Sequence, residues 1–207
     1  MERHGTKGDA ASEEAQVRRL LRTRWKYDFA ATPIPCVPEP VSHRGVMGRM
    51  TPLSIVRVLR AVGPLSERDV LVDLGMGDGG FLAAAAYLGV RAELRGVEVD
   101  EHLFALAAAK LAHVARARLA RRDIRELASL SDATVVYVFC DAMRVDTLEA
   151  IAWLTRCAPA LRAAVLVPRP REHTAVSELC LEAEFKLPVS KAGAGRYTAY
   201  VWRPRRP

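Results

Sequence analysis

The chain has 207 residues, half of them hydrophobic, which suits one domain with a sizeable core and excludes a disordered chain. Its 31 basic and 24 acidic residues give a net charge of +7, favouring acidic partners such as nucleic acid or nucleoprotein. No apolar run approaches ~18 residues, so no membrane span is expected, and the polar start Met1-Glu-Arg-His-Gly-Thr-Lys-Gly-Asp argues against secretion and for the nucleus or cytoplasm.

Residues 1–11 read as disordered. A helix is predicted from Ser12 to Tyr27: Ser12 can cap it, Glu13 and Glu14 suit its dipole, and Val17, Leu20, Leu21 and Trp25 form an apolar stripe. Five basic residues and no acid fall between Ala15 and Tyr27. Pro33, Pro35, Pro38 and Pro40 then exclude helix and central strand, so residues 1–44 form a basic helix and an arm. A helix begins after Thr51-Pro52, with Thr51 as cap and proline at the first position.

From Val70 the pattern alternates. Strands are predicted at 69–73, 93–98, near 117–120, at 135–140 and at 163–167. Helices are predicted at 79–88, 101–116 and 146–157. After a helix near His173 to Cys180, strands at 182–189 and 196–202 form a hairpin around Ser-Lys-Ala-Gly-Ala-Gly. Strands alternating with helices imply an α/β, doubly wound sheet with an antiparallel edge, spanning residues 45–203 ahead of a basic tail at 204–207.

The informative stretch is Val70-Leu-Val-Asp73-Leu-Gly75-Met-Gly77-Asp-Gly79-Gly80. A buried strand runs through glycines into a helix N-terminus, where glycine admits close backbone approach and free N–H groups face a ligand. The string D-x-G-x-G-x-G, with Asp73 as the acid just before the turn, departs from the dinucleotide fingerprint G-x-G-x-x-G. Glu98, 25 residues after Asp73, ends the next strand, where a carboxylate can accept both ribose hydroxyls of an adenosyl group. The plainer alternatives are a solvated strand-end acid for Glu98 and a turn cap for Asp73.

These motifs resemble motif I and the following acid of class I S-adenosylmethionine (SAM) methyltransferases, implying a seven-stranded, Rossmann-like methyltransferase fold with SAM as cofactor. Within that superfamily, Gly48 to Asp100 resembles the disruptor-of-telomeric-silencing type of histone lysine methyltransferase. Val72-Asp73-Leu74-Gly75 and Gly96-Val97-Glu98 match its motifs, and Thr51 falls on its loop threonine. Mitochondrial protein lysine methyltransferases likewise place Thr-Pro before this helix, as Thr51-Pro52 does. The resemblance implies a cradle of Thr51, Asp73, Gly75, Gly77, Glu98 and Asp123, with Thr51 over the methionine end and Asp123 at the adenine amino group. It departs at Met50, where the family has glutamate, and at Phe139-Cys140-Asp141, where it has Asn-Asn-Phe.

Methyl transfer needs a nucleophile aligned at ~3–3.5 Å in a water-poor slot more than an acid–base dyad. Asp141, at the end of the fourth strand, is the candidate for facing the substrate, with a loop cap as the alternative. Tyr137, Phe139, Met143 and Trp153 read as core. The four cysteines are far apart and match no histidine spacing, so no metal is indicated.

The expected activity is methylation of a protein lysine, histone and chromatin included. The alternatives are an RNA or small-molecule methyltransferase, or a catalytically degenerate methyltransferase-fold binding module. The Asn/Asp-Pro-Pro-Tyr signature of base-amino methylation is absent after the fourth strand. Basic clusters at 15–27, 110–125 and 185–207 would contact nucleic acid nonspecifically if they converged, and are ordinary solvated faces if they scatter.

Overall fold

The computed structural model describes residues 12–18, 49–140, 143–167, 179–190 and 196–204. The expectations for residues 1–11, the basic helix beyond Arg18, the proline-rich arm, Asp141, the helix near His173 and the last three residues lie outside them. Residues 12–18 are helical (α1), and Glu13 meets Arg57 at 3.2 Å.

A two-residue strand, β1 (Arg49–Met50), leads into α2 (Pro52–Val62). Thr51 caps α2 in extended conformation, its Oγ1 accepting the Ser54 N–H, and proline follows at the first helical position. Then come β2 (Val70–Leu74), α3 (Gly80–Tyr87), β3 (Glu93–Glu98), α4 (Glu101–Leu111), β4 (Ala117–Arg121), a 3₁₀ turn (Ile124–Glu126), β5 (Val135–Phe139), α5 (Val145–Arg156) and β6 (Ala163–Val167). The chain ends in two long strands, β7 (Leu179–Ser190) and β8 (Arg196–Pro204).

All eight strands form one sheet in the order β1-β7-β8-β6-β5-β2-β3-β4. The strands β2 to β6 pair in parallel, whereas β8 pairs antiparallel with both β6 and β7. Setting aside the short β1, this is the seven-stranded sheet with a terminal antiparallel hairpin that the sequence pattern predicts. The chain proceeds outward from β2 to β4, then restarts at β5 on the other side of β2. The crevice beyond the carboxyl ends of β2 and β5 is therefore a topological switch point, where open α/β sheets bind ligands.

The pleat sends alternate residues to opposite faces. Leu71, Leu94, Val135, Tyr137 and Val165 join α2, α3 and α4 in one core, while Val72, Leu74, Val136, Val138 and Leu166 join Ile151 and Leu154 of α5 in the other. Burial on both faces explains the continuous apolar runs of the central strands.

Two expectations change. Cys180 lies in β7, not in a helix, because Leu179–Leu181 pair with Trp202–Pro204; Glu182 is the extra residue of a bulge where the register shifts. Trp153 is not core: it is 45% exposed, since Ile151, Ala152, Leu154 and Thr155 take the buried positions of α5. Of the basic clusters, the described parts of 110–125 and 185–207 lie apart, and most of 15–27 lies outside the described residues. The 110–125 segment follows α4 and the edge strand β4, while Lys186 lies on β7 and Arg196 and Arg203 on β8, six and five strand spacings (~29 and ~24 Å) away.

Much of that charge is engaged locally. Lys110 pairs with Asp78 at 2.7 Å, Arg121 with Glu101 at 3.0 Å, and Arg203 with Glu182. No helix among the described residues is long and apolar enough to cross a membrane.

Candidate active site

The site is built from the turn between β2 and α3. Gly75, Gly77 and Gly79 have φ of +80°, +56° and +73°, the left-handed region that favours glycine. A Cβ at Gly75 would come within 2.8 Å of Met143 Cε, the far end of a flexible side chain that can give way, so the requirement for glycine there is conformational. The Gly75 and Met76 N–H groups both donate to Val97 O, at 2.9 and 3.0 Å, which ties the turn to the end of β3.

Glu98 completes the tie. Its Oε2 accepts the Gly77 N–H at 2.9 Å, and its Oε1 accepts the Val99 and Asp100 N–H groups, each at 2.8 Å. Only 8% exposed, Glu98 is no solvated strand-end acid. Three of its four lone-pair positions are filled by backbone, leaving one on Oε2 for a further donor. Two ribose hydroxyls could bind together only if a backbone N–H were released.

Asp73 is the opposite case. It is 2% exposed, and its Oδ1 has no hydrogen-bond partner. Burial, then the negative charges of Glu98 and Asp78, push its carboxyl well above the ordinary range. Asp78 joins the start of α3 to α4, its Oδ1 accepting the Gly80 N–H at 3.1 Å and its Oδ2 bound to Lys110 at 2.7 Å.

The remaining predicted residues approach from three sides. Thr51 caps α2 beside Met50, whose Sδ accepts the Tyr137 hydroxyl; Tyr137 stacks on Phe81 at 4.1 Å between centroids. Tyr137 is also the register neighbour of Asp73 on β5, so α2 begins close to the end of β2. Asp123 follows β4 directly after Arg122, whose N–H donates to Glu98 O.

Both Asp123 oxygens are already engaged. Oδ1 accepts the Arg125 N–H at 2.9 Å and Nε at 3.0 Å, and Oδ2 accepts Nε at 3.1 Å and Nη2 at 2.6 Å. The Arg125 guanidinium holds the Asp123 carboxyl below its ordinary value. A new donor at Asp123 must displace it. Arg125 also reaches Asp146 at 2.7 Å, which Arg144 holds from the other side, so a chain of ion pairs links the end of β4 to the start of α5.

Asp73, Gly75, Gly77 and Glu98 thus form one cluster, Thr51 and Asp123 flank it, and Asp141 lies outside the described residues. Cys140, just before it, donates its N–H to Val167 O at 2.6 Å, and Met143 covers Gly75. The sequence reading missed the Asp78–Lys110 pair, the Arg125 chain and the contact of Met143 with Gly75. All are tertiary contacts without a local signal, save that Arg125 stands two residues from Asp123. Among the described residues, no group of His, Cys, Asp and Glu could hold a metal ion.

No protein-family model and no curated protein matches the sequence. Solved structures do match. A candidate RNA methyltransferase from Pyrococcus horikoshii aligns over 95% of this chain and 100% of its own, at 15% identity and a TM-score of 0.65. The fold is that of the class I methyltransferases. An RNA methyltransferase from Salinibacter ruber, in complex with S-adenosylhomocysteine, aligns over 74% of this chain and 91% of its own, at 24% identity and a TM-score of 0.53. TrmN from Thermus thermophilus aligns over 75% of this chain at 16% identity and a TM-score of 0.59; the chain spans 49% of that protein's length. These structures support the class I methyltransferase fold; they do not support the histone lysine type in particular.

Proposed function

We propose that this chain is a SAM-dependent methyltransferase whose acceptor is RNA. The single observation that carries the cofactor is the buried, unpartnered Asp73 carboxyl beside a glycine turn, at the switch point of a methyltransferase sheet. SAM, when bound, supplies an electrophilic methyl group on a sulfonium. Around it, Gly75 and Gly77 admit close backbone approach, and Glu98 offers its remaining lone pair to a ribose hydroxyl. Asp123 takes the adenine amino group once Arg125 moves aside. Thr51 and the start of α2 close over the methionine end. Asp141 faces the acceptor.

RNA is favoured over a protein lysine because RNA methyltransferases stand among the structural relatives and the net charge is +7. Nothing comparable supports the lysine reading. Met50, at the position of that family's loop glutamate, is buried and bonded to Tyr137.

The test is incubation with tritiated SAM and, separately, total RNA, free histones and nucleosomes. Label on RNA is the expected result. Label on a histone band alone would return the acceptor to lysine. Cofactor binding without label on either would favour a small-molecule acceptor or a binding module.

A further inference from the structure

A carboxyl group removed from water is stable only if it is paired with a cation or keeps its proton. Asp73, the penultimate residue of β2, lies on the sheet face shared with α2 and α3, and it has no ion pair among the described residues. The charged groups around it have the wrong sign. Glu98 approaches from β3 and Asp78 from the glycine turn, and Asp78 already holds Lys110 of α4. From β5 the facing group is Tyr137, stacked on Phe81, and neither the first turn of α2 nor any part of α3 carries a charge.

We propose that Asp73 carries a proton in the free protein and gives it up to solvent when the positive end of the ligand enters, making cofactor binding a proton-releasing step. The inference rests on the methyltransferase reading and adds a regulation to it: affinity for a cationic ligand rises with pH. The balance is one O–H bond broken on Asp73, one proton to buffer, and one ligand cation left against the carboxylate. The cation is an ammonium or a sulfonium. SAM carries both, S-adenosylhomocysteine only the ammonium, and methylthioadenosine neither.

The test is calorimetric titration of the full chain with each of the three, in two buffers of different ionisation enthalpy. The difference between buffers counts protons. S-adenosylhomocysteine is expected to release about one proton at pH below the raised Asp73 value, with affinity rising about tenfold per pH unit there. Methylthioadenosine should release none, and Asp73→Asn should abolish the release.

Release with SAM alone would also support the proposal and assign the sulfonium. Binding without release by either charged ligand, or undiminished release from Asp73→Asn, would overturn it while leaving the methyltransferase reading intact. No binding of any of the three would overturn both. Should Asp73→Asn not fold, the native chain still decides: affinities for SAM and S-adenosylhomocysteine that are both as flat with pH as that for methylthioadenosine would refute the coupling.

Discussion

Replacing Glu98 by glutamine would test whether this carboxylate holds the glycine turn as well as facing the cofactor. The side chain keeps its shape, but one carboxylate oxygen becomes an NH₂ group. The best rotamer keeps the amide oxygen on Val99 and Asp100, which together make two bonds at 2.8 Å, and turns NH₂ against the Gly77 N–H. One buried acceptor is lost, at a cost of about 1–3 kcal/mol. For a chain of 207 residues, at ~2–4 °C per kcal/mol, Tm falls by roughly 2–12 °C in the absence of any ligand. Glu98→Ala strands three N–H groups and costs about 3–9 kcal/mol, comparable to the whole stability of many domains. Loss of binding in that variant would therefore say little about the cofactor. Urea unfolding of the native chain and Glu98→Gln, without ligand, is the assay. Equal midpoints and slopes would refute the claim that Glu98 holds the turn.

Three further predictions concern the same loop and its neighbours. Gly79→Ala and Gly89→Ala share a left-handed φ (+73° and +85°), worth about 1–2 kcal/mol each, but only Gly79 would push its Cβ within 2.9 Å of Ala107. The Gly79 variant should thus be less stable than the Gly89 variant by a further ~1–3 kcal/mol in urea melts, and equal losses would contradict the packing argument. Arg125→Ala frees Asp123, so it should bind S-adenosylhomocysteine more tightly by calorimetry; weaker binding would mean that Arg125 assists the ligand. Burial raises Asp73, so the folded chain holds a proton that the unfolded chain loses near pH ~4, and stability falls as pH rises through the raised value. Asp73→Asn removes that loss: its stability relative to the native chain should increase as pH rises from about 4 towards the raised value, and a constant difference would count against a raised Asp73.

Much of this architecture is legible locally. The runs Val70–Leu74 and Val135–Phe139 are apolar on both faces because helices cover both, and Thr51-Pro52 announces α2 by its cap. The edges are harder to read. In β4, Ala117-Arg-Leu-Ala-Arg is largely exposed and offers little hydrophobic signal. The first residues of β7 are strand because Trp202, Arg203 and Pro204 lie opposite them, a pairing that the segment itself does not encode. Trp153 was misread by residue type, although the spacing of Ile151, Leu154 and Thr155 leaves it off the buried face.

At the site, the types and spacing of Asp73, Gly75, Gly77 and Glu98 follow from the demands of a strand–turn–helix. Their partners do not. Three backbone donors on Glu98 and none on Asp73 Oδ1 are consequences of tertiary geometry, and they divide two similar-looking acids into a fixed strut and a waiting charge.

The most direct measurement of the central claim is equilibrium dialysis of the chain against tritiated SAM, with competition by S-adenosylhomocysteine. The account predicts one saturable site per chain at micromolar affinity or tighter, fully displaced by the competitor. Retention no greater than that of a non-binding control protein would contradict it and leave a methyltransferase fold without its cofactor.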